Sequence, residues 1–484
     1  MLKQLSAELA PLLTALYEQT LATGCVPDQW RDALVTPIFK KGDAHNPANY
    51  RPVSLTSIVC KVMEHILCRH ILDHMDRHGL MTTLQHGFRK EHSCETQLLV
   101  TIDDLMRSYE RKHQVDIGVL DFSRAFDTVP HERLLGKLAH YGIQGPVHEW
   151  IRSFLSNRTM RVAVDGELSC ETSVTSGVPQ GTVLGPLLFL IYINDLPDCV
   201  SEGTTVRLFA DYCLVYRVIR SPADQCILQR DLAALQKWSE KWCMKFNPKK
   251  CNILQVSRGD PASHFYELCD EVLQNVSSVK YLGVHISHDL DWSTHVNFVA
   301  QRANSTLGLL RRNLRYCPQA AKSLAYFSLV RSTAENCAAV WDPHVGKDID
   351  KLERVNRLAA RFVCNKTRRR DSNGNLYSVT GMLNDLNWPT LEQRRRQLRL
   401  SLMYKITHKQ VAVPPTQLIR PNRPLRTTRD HPYIYISILA KSLQYSHSFY
   451  PRTIPEWNKL SPKDVAPPKT EDSAEEHSAE APAP

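Results

Sequence analysis

The stretch Val206–Tyr216 constrains the fold of this chain more than any other. It reads VRLFADYCLVY, so two short runs rich in β-branched and aromatic residues flank Asp211. Such runs favour β-strands, and the short break between them predicts a tight hairpin with Asp211 at its tip. A carboxylate there is solvated on one side and fixed on the other, which suits a metal ligand. Taken alone, the pattern favours a plain surface turn, because Asp is common in turns.

A second aspartate upstream changes that interpretation. Asp121 directly follows the apolar strand pattern Val115–Leu120. If the two strands are neighbours in one sheet, both carboxylates meet at one edge, where two hard oxygen ligands suit Mg²⁺ together with a phosphate substrate. Metal-assisted phosphoryl transfer needs that arrangement. Asp121 and Asp211 are therefore the candidate catalytic and metal-binding residues.

Composition narrows the class of protein. The formal net charge of +10 favours a polyanionic partner, with nucleic acid the leading candidate. The 14 cysteines include no Cys-x-x-Cys pair, the N-terminus lacks a secretory hydrophobic core, and no run approaches 18 apolar residues. We therefore expect an intracellular protein with reduced cysteines, without zinc and without a membrane partner.

Strand and helix patterns alternate irregularly, which favours an α+β fold. The segment Asn49–Leu55 is predicted to be a turn that leads into a helix with Ile58, Val62, Ile66 and Leu67 on one face. From about residue 292 the pattern becomes helical. Residues 411–424 are predicted to be an extended proline linker, and residues 467–484 have a composition typical of disorder.

Two arginine runs stand in the second half of the chain. Arg368–Arg370 is predicted to lie in a boundary loop, and Arg394–Arg396 lies in a helical pattern. Either run fits contact with nucleic-acid phosphates, and a solvated helix face fits equally well.

Seven short segments occur in a fixed order along the chain. They are YRPVSL at residues 50–55, QHGFR at 85–89, DFSRAFD at 121–127, GVPQG at 177–181, FAD at 209–211, KFNPKKC at 245–251 and YLGV at 281–284. In sequence and spacing they resemble the motifs of reverse transcriptases from LINE-type, non-LTR retrotransposons of the jockey and chicken-repeat kind. The resemblance covers about residues 30–290 strongly, and more loosely the chain to about residue 465.

The resemblance implies an α+β right-hand polymerase with a mostly helical C-terminal extension. The expected domains are a helical lead-in (1–30), fingers and palm (31–285), a thumb (286–345), a helical and extended region of unknown role (346–465) and a disordered tail (466–484). The implied activity is RNA-directed DNA synthesis. It would use an RNA template, a DNA primer or target DNA, deoxynucleoside triphosphates and two Mg²⁺ ions, with Mn²⁺ as the alternative.

The resemblance also implies a cellular setting. A protein of this kind acts in the nucleus and cytoplasm. Because the chain begins just before the fingers motifs, we expect it to lack the upstream endonuclease of intact elements. The oligomeric state stays open.

The resemblance assigns roles around the incoming nucleotide. Asp121 and Asp211 would be the metal ligands. Arg89 would hold the triphosphate, with Lys40 and Arg51 as weaker candidates. The ring of Phe126 would fill the space that a ribose 2′-hydroxyl needs, although a core aromatic residue is the alternative interpretation.

Further roles concern the strands and the leaving group. Gln180 and Gly181 would let the backbone approach template and nucleotide closely. Lys250 would protonate pyrophosphate, with Lys249 as the open alternative. Residues Tyr281, Leu282 and Gly283 would hold the primer end, although a strand packed in the core would give the same pattern.

One departure from the family pattern bears on activity. The family has a second aspartate after the first one at the hairpin tip, and here that position is Tyr212. A neutral phenol does not replace the missing charge. Asp127 is no obvious substitute, since we expect it to cap the next helix. The sequence therefore predicts an impaired polymerase, with a catalytically inactive nucleic-acid-binding remnant as the alternative. An RNA-dependent RNA polymerase is disfavoured, because Phe126 leaves little room for a 2′-hydroxyl.

Overall fold

The chain divides into two compact units. The computed structural model describes residues 4–262, 264–366, 378–416, 418–420 and 431–467. The first unit contains the chain up to residue 90 together with residues 114–255 and 260–277. The second unit contains residues 91–113 and 256–259 and the chain from residue 278 onward. The predicted domain bounds are functional assignments and stay a prediction.

The strands of the described residues are short, and most of them belong to the first unit. They are β1 (Asp32–Phe39), β2 (Tyr50–Leu55), β3 (Gln114–Asp121), β4 (Arg158–Val164), β5 (Glu167–Leu168), β6 (Thr172–Val174), β7 (Thr204–Phe209), β8 (Tyr212–Ile219), β9 (Asn252–Val256), β10 (Glu267–Leu268), β11 (Glu271–Val272), β12 (Gln274–Asn275), β13 (Ser278–Tyr281) and β14 (Val284–Ser287).

Helices make up most of the second unit, and the first unit has helices of its own that pack against its sheets. They are α1 (Ser6–Thr23), α2 (Asp28–Arg31), α3 (Ile58–Arg77), α4 (Cys94–Glu110), α5 (His131–His140), α6 (Gly145–Leu155), α7 (Leu184–Ile193), α8 (Pro222–Lys241), α9 (Ser293–Asn313), α10 (Gln319–Ala325), α11 (Ser332–Glu335), α12 (Ala338–Trp341), α13 (Gly346–Val363), α14 (Val379–Asp385), α15 (Leu391–Thr407), α16 (Leu443–Ser446), α17 (Phe449–Trp457) and α18 (Pro462–Val465). Tyr326–Arg331 forms a π-helix between α10 and α11.

A five-stranded sheet in the order β12-β9-β3-β8-β7 carries the candidate aspartates. Its central strand β3 is buried from Val115 to Leu120, as expected for a strand covered on both faces. Strand β3 pairs antiparallel with β8, and β8 pairs antiparallel with β7. The predicted hairpin is confirmed, and so is the prediction that the two aspartate-bearing strands share a sheet.

A second sheet of the first unit contains β1, β2 and β4, with β5 and β6 pairing to β4. Strand β1 lies between β2, with which it is antiparallel, and β4, with which it is parallel. The prediction of a turn at residues 49–55 was wrong for Tyr50–Leu55. That segment is extended because the whole of β2 pairs with β1, from Tyr50 opposite Phe39 to Leu55 opposite Leu34.

Helix α3 forms where the sequence predicts it, but on the predicted apolar face only Leu67 is buried, and Ile58, Val62 and Ile66 stay exposed. The buried face instead carries Cys60, Met63, Glu64, Leu67, Cys68, Ile71 and Met75. Periodicity found the helix without finding which of two apolar stripes packs on the core.

In the second unit, α9, α13, α14 and the π-helix surround one apolar core. Its buried residues include Leu307, Tyr326, Val355, Ala359 and Trp388. Strands β13 and β14 form a separate hairpin. The mixture of sheets and helices in the two units confirms the predicted α+β class. Across the residues that the structure describes, none of the helices combines the length and the apolarity needed to cross a bilayer.

Candidate active site

The tip of the β7–β8 hairpin brings the two candidate aspartates together. Phe209 and Tyr212 are ladder partners, so Ala210 and Asp211 form a two-residue turn. Ala210 has a φ of +52°, in the left-handed region that a tight turn of this kind requires. On the other side of β8, Asp121 is the ladder partner of Tyr212. The carboxylates of Asp121 and Asp211 therefore stand at the same edge of the sheet.

The electrostatics of the pair agree with that proximity. Burial raises the pKa of Asp211, and the negative charge of Asp121 raises it further. The cations Arg51 and Lys250 oppose this rise in the pKa. Two carboxylates that repel each other at a partly buried edge are an arrangement that a bound cation stabilises.

The KFNPKKC segment also holds Asp121 in place, through one backbone hydrogen bond and one ion pair. The backbone N–H of Asn247 donates to the carbonyl of Asp121 at 2.8 Å, and Lys250 Nζ lies 3.1 Å from the carboxylate oxygen Oδ2 of Asp121. The stacked rings of Phe122 and Phe246, with centroids 4.4 Å apart, hold the same two segments together. Of the two lysines that the sequence left open, Lys250 is the one that forms this ion pair.

Gln85 is a site residue that sequence reasoning did not single out. Its side-chain oxygen Oε1 accepts a hydrogen bond from the backbone N–H of Ala210 at 2.9 Å and another from Gly87 at 2.7 Å. The side chain is buried, and backbone hydrogen bonds on both sides of it join this segment to Leu208 of β7. Gln85 thus joins the QHGFR segment to the turn that carries Asp211.

Gly87 shows how closely that segment approaches the turn. A Cβ at this position would lie 2.5 Å from the backbone nitrogen of Ala210. Real Cβ contacts are never that short, so only glycine fits here without moving the turn. The glycine in QHGFR was the one sequence signal that could have pointed to this contact.

The DFSRAFD and GVPQG segments pack against each other beside the aspartates. The ring of Phe126 stacks on Phe189 with centroids 4.3 Å apart and is only partly buried. Gln180 Nε2 donates to the carboxylate of Asp127 at 2.8 Å. At Gly181 φ is +104° and a Cβ would lie 2.5 Å from the carbonyl oxygen of Ser54, so glycine is required.

Asp127 does not cap the following helix, so that expectation was wrong. Helix α5 begins after Pro130 without a side-chain cap. The carboxylate of Asp127 is instead engaged by Gln180, and it holds the GVPQG loop in place.

The three cations predicted near the triphosphate lie in different settings. Arg89 Nη1 donates to the carbonyl of Thr82 at 2.7 Å, and Nη2 lies 3.3 Å from the Asp76 carboxylate. Arg51 is exposed in β2, and its charge acts on Asp211. Lys40 is exposed just beyond β1, where its backbone N–H donates to Asn49. Arg89 would have to exchange its present partners for a phosphate.

Tyr212 stands beside both aspartates, next to Asp211 in the chain and opposite Asp121 in the ladder. Its side chain is half exposed, and burial, Asp121 and Asp211 all raise its pKa above the ordinary value for tyrosine. The phenol is therefore neutral at neutral pH and offers no anionic oxygen to a metal ion. The structure describes no group of three or more His, Cys, Asp or Glu side chains able to hold a metal.

The donor set present nevertheless fits a divalent cation of the hard type. Such ions bind through one or two carboxylates and take their remaining ligands from water and substrate phosphates. Asp121 and Asp211 supply two carboxylates, and their mutual repulsion marks the place where positive charge is favourable. Tyr212 adds no third carboxylate to this pair.

The predicted primer-holding residues lie in the second unit. Leu282 and Gly283 form the two-residue turn between β13 and β14, and both have positive φ, as a type I′ turn requires. Tyr281 is completely buried, and its hydroxyl accepts a hydrogen bond from Gln97 Nε2 at 3.0 Å. The Tyr281 ring therefore belongs to the core, as the alternative interpretation expected, and Gly283 of the turn is exposed.

The prediction of a solvated face for Arg394–Arg396 is wrong for Arg395 and holds for Arg396. Arg394 pairs with Glu335, Arg395 is buried against Asp342, and the exposed Arg396 pairs with Glu456. Contact of this run with nucleic-acid phosphates stays a prediction. Arg368–Arg370 and residues 468–484 of the predicted tail lie outside the described residues, and so does part of the predicted proline linker.

Comparison with known proteins agrees with the site. The model of the family "Reverse transcriptase (RNA-dependent DNA polymerase)" matches residues 38–286, just over half of the chain. All of the candidate residues named in the first unit fall within that range.

Relatives from Drosophila melanogaster extend the match. The RNA-directed DNA polymerase from mobile element jockey is 29% identical over 297 residues, which cover 60% of this chain and 32% of the relative. The probable RNA-directed DNA polymerase from transposon BS is 26% identical over 450 residues, or 88% of this chain and 47% of the relative. The corresponding protein of transposon X-element is 27% identical over 388 residues, or 76% and 42%.

The chain thus spans 32–47% of the length of these relatives. The predicted resemblance to LINE-type, non-LTR retrotransposon polymerases is confirmed. Members of the matched family generally use divalent metal ions. The chain belongs to the reverse transcriptase family and has its right-hand polymerase fold.

Proposed function

We propose that this chain is the polymerase part of a LINE-type retrotransposon protein, and that it copies RNA into DNA in a form impaired by Tyr212. The single observation that carries the proposal is the meeting of Asp121 and Asp211 at the tip of adjacent strands. Its substrates are an RNA template, a DNA primer or target DNA and deoxynucleoside triphosphates. We propose the nucleus and cytoplasm as its location, on the family resemblance alone.

Asp121 and Asp211 would hold the catalytic cation, with Mg²⁺ as the proposed ion and Mn²⁺ as the alternative. When bound, a pair of such ions supplies Lewis-acid activation of the attacking hydroxyl and neutralises the charge on the phosphates. Asp121 and Asp211 would be the two protein carboxylates that hold these ions, so the substrate would have to supply more of the remaining ligands. This dependence is the physical reason to expect weak activity.

The other residues would protonate the leaving pyrophosphate, bind the triphosphate and exclude ribonucleotides. Lys250, held beside Asp121, is positioned to give a proton to the leaving pyrophosphate. Arg51, with Lys40 and Arg89, supplies positive charge for the triphosphate. The exposed edge of Phe126 would exclude a 2′-hydroxyl, and its stacking on Phe189 would keep the ring in place.

The backbone near Gln180 and Gly181 is proposed to face template and nucleotide. The turn at Leu282 and Gly283 is proposed to hold the primer end. The proposed domains are the ranges given above for fingers and palm, thumb and C-terminal region.

The test is primer extension on an RNA template with deoxynucleotides, comparing the native chain with Tyr212→Asp in Mg²⁺ and in Mn²⁺. We expect extension by Tyr212→Asp to exceed that of the native chain by about 100-fold or more, since losing one group from a preorganised site often has effects of that order. Equal extension by the two proteins would show that Tyr212 does not limit the reaction.

A nucleic-acid-binding role without catalysis is the second candidate, and the neutral phenol at position 212 favours it. It predicts tight binding of RNA by the native chain and no extension by either protein. The Asp121→Asn variant of the Tyr212→Asp protein is the matched control, because it removes a proposed ligand while keeping the shape of the side chain.

A further inference from the structure

A buried carboxylate of the first unit lies outside the site described above. Glu64 stands on the core-facing side of α3 and is completely buried. A carboxylate in an apolar core is costly unless it is paired or hydrogen-bonded, so its presence there needs a physical reason. The reason lies at the beginning of α7, the helix that follows the GVPQG loop.

One oxygen of Glu64 accepts two backbone hydrogen bonds at that point. Its Oε2 accepts from the N–H of Val183 at 2.7 Å and from the N–H of Leu184 at 2.9 Å. The first N–H groups of a helix have no partner within the helix, and the side chain of Val183, directly before α7, provides no cap. We call this contact the Glu64 cap. A negative charge at this end of a helix also interacts favourably with the helix dipole.

Val183 is held through its carbonyl group as well. The thiol of Cys68, one turn after Glu64 on the buried face of α3, donates to the carbonyl oxygen of Val183 at 3.4 Å. Side chains of α3 therefore bind both polar backbone groups of Val183. These bonds join a long helix to the residue that stands two positions after Gly181.

The GVPQG loop is held by other segments on its far side. The backbone N–H of Ser54 in β2 donates to the carbonyl of Gln180 at 2.7 Å, and Gly181 approaches Ser54 so closely that no Cβ fits. The backbone N–H of Val178 donates to the carbonyl of Phe126 at 2.7 Å. A shift of the backbone at the start of α7 would therefore also displace the loop that we propose to face template and nucleotide.

The surroundings of Glu64 bear on its charge. Burial raises the pKa of Glu64, whereas the two backbone N–H groups, Cys60 and Arg158 lower it. Arg158 in β4 is only 2% exposed. The second carboxylate oxygen, Oε1, is buried and has no hydrogen-bond partner among the described residues. Glutamine at position 64 would thus keep one acceptor oxygen for α7 and lose the charge.

We propose that Glu64 is a positioning residue for nucleotide binding, which acts by fixing the GVPQG loop through the Glu64 cap. A completely buried side chain touches neither template nor nucleotide, so its effect passes through the backbone of Val183 and Leu184. The nucleotide in this inference rests on the proposed function, whereas the link between cap and loop depends on the contacts above. Loss of the cap should loosen the loop and weaken nucleotide binding.

The first experiment is hydrogen–deuterium exchange of the native chain, followed by mass spectrometry. We expect Glu64→Leu to speed exchange at least about tenfold in the peptide that contains Val183 and Leu184, because two buried N–H groups lose their acceptor. Exchange in β3 and β8 should stay unchanged. Glu64→Gln should remain within about twofold of the native chain, and so should Glu18→Leu, which removes an exposed carboxylate of the same unit.

The second experiment measures KM for deoxynucleotides and kcat separately, by primer extension in the Tyr212→Asp protein. Glu64→Leu is expected to raise KM at least about fivefold, and Glu64→Gln to bring it back to within about twofold. If Glu64 only kept the protein folded, its loss would lower the amount of active protein. The apparent kcat would then fall while KM stayed the same.

Other results overturn the proposal. Exchange that rises equally in β3 and β8, or a fall in kcat with unchanged KM, would make Glu64 a core residue without a positioning role. If Glu64→Leu does not fold, Cys68→Val removes the second bond to Val183 while keeping an apolar side chain. It should speed exchange about twofold in the same peptide, and unchanged exchange there would contradict the link.

The two experiments separate this inference from the proposed function. If the Tyr212→Asp protein extends no primer, the proposed function fails. A selective rise in the exchange of the Val183 peptide in Glu64→Leu would then still support the cap and its hold on the loop, and a uniform rise would overturn both.

Discussion

Gln85 Oε1 accepts a hydrogen bond from the backbone N–H of Ala210, the residue directly before Asp211 in the hairpin turn. The same oxygen accepts from Gly87, so one buried side chain fixes two segments that lie far apart in the sequence. Ala210 is held in a left-handed conformation that alanine does not favour. Gln85 is therefore a positioning residue, which acts through the backbone on the turn that carries Asp211.

Replacing Gln85 by leucine should destabilise the first unit and disturb the turn. Two buried N–H groups would lose their acceptor, which predicts a loss of about 2–4 kcal/mol in the free energy of unfolding. Urea denaturation provides the measurement, and the exposed Gln144→Leu is the control, with an expected change within about 0.5 kcal/mol. In the Tyr212→Asp protein, Gln85→Leu should also reduce extension. A loss no larger than that of Gln144→Leu would contradict the positioning role.

Replacing Asp211 by asparagine should increase stability at pH 7 while removing metal binding. The pKa of Asp211 is raised in the folded state, so its ionisation opposes folding at pH values above the folded pKa. Below the unfolded pKa of about 3.9, both states hold the proton and the difference disappears. Urea unfolding at pH 7 and pH 3.5, with exposed Asp73→Asn as the control, measures this.

The affinity of the Asp211 site for metal ions should fall as the pH falls. Because the pKa of Asp211 is raised, its carboxylate takes up a proton at a higher pH than an ordinary aspartate as the solution is acidified. Mn²⁺ titrations followed by electron paramagnetic resonance should show weaker binding as the pH falls from 7, and binding should be lost in Asp211→Asn. Binding that stays pH-independent down to pH 4 would exclude Asp211 as a ligand.

Phe126→Ala in the Tyr212→Asp protein tests the proposed exclusion of ribonucleotides. The smaller side chain should raise the incorporation of ribonucleotides relative to deoxynucleotides by about tenfold or more. The control is Phe265→Ala, which removes an exposed ring of the same unit. If Phe126→Ala lowers the unfolding temperature and leaves nucleotide selectivity unchanged, the ring is a core residue stacked on Phe189 and no more.

His295 should make the second unit sensitive to acid. Its pKa of about 3 lies below the unfolded value near 6.5, so the unfolded state binds more protons between these values and stability falls as the pH falls through that window. Between pH 6.5 and pH 5 this contributes a loss of about 2 kcal/mol. The loss should be smaller in His295→Gln and unchanged in His288→Gln, an exposed histidine of the same unit. Urea denaturation at the two pH values is the measurement.

Arg395→Ala and Arg396→Ala should differ sharply although the residues are neighbours. Arg395 is 1% exposed, and its Nε lies 2.7 Å from Asp342, which also pairs with Arg399 and Arg452. Breaking a buried network of this kind is expected to cost about 3–5 kcal/mol, against less than about 1 kcal/mol for the exposed Arg396 pair. Denaturant unfolding of the two variants measures this difference. Equal losses in the free energy of unfolding would contradict the structural role of the buried pair.

Several elements of the fold follow from local sequence. The hairpin around Asp211 and the strand before Asp121 are predicted by short apolar runs with a polar break, and the ladder Asp121–Tyr212 shows them as neighbours. Strand β2 was missed because YRPVSL contains a proline and begins like a turn, and only pairing with β1 keeps it extended. The sequence did not show that Ile58, Val62 and Ile66 of α3 stay exposed. Periodicity identifies an apolar face of a helix, but it does not identify which element packs against that face.

The sequence by itself determined the order of the motifs, the family and the identity of the two aspartates, since these depend on residue type and spacing along the chain. It also showed the substitution at Tyr212. Only the tertiary structure revealed what Gln85, Asp127, Arg395 and His295 contact. Their partners are distant in sequence, and the cost of leaving a buried polar group unpaired is decided by whichever backbone or side chain the fold brings within about 3 Å.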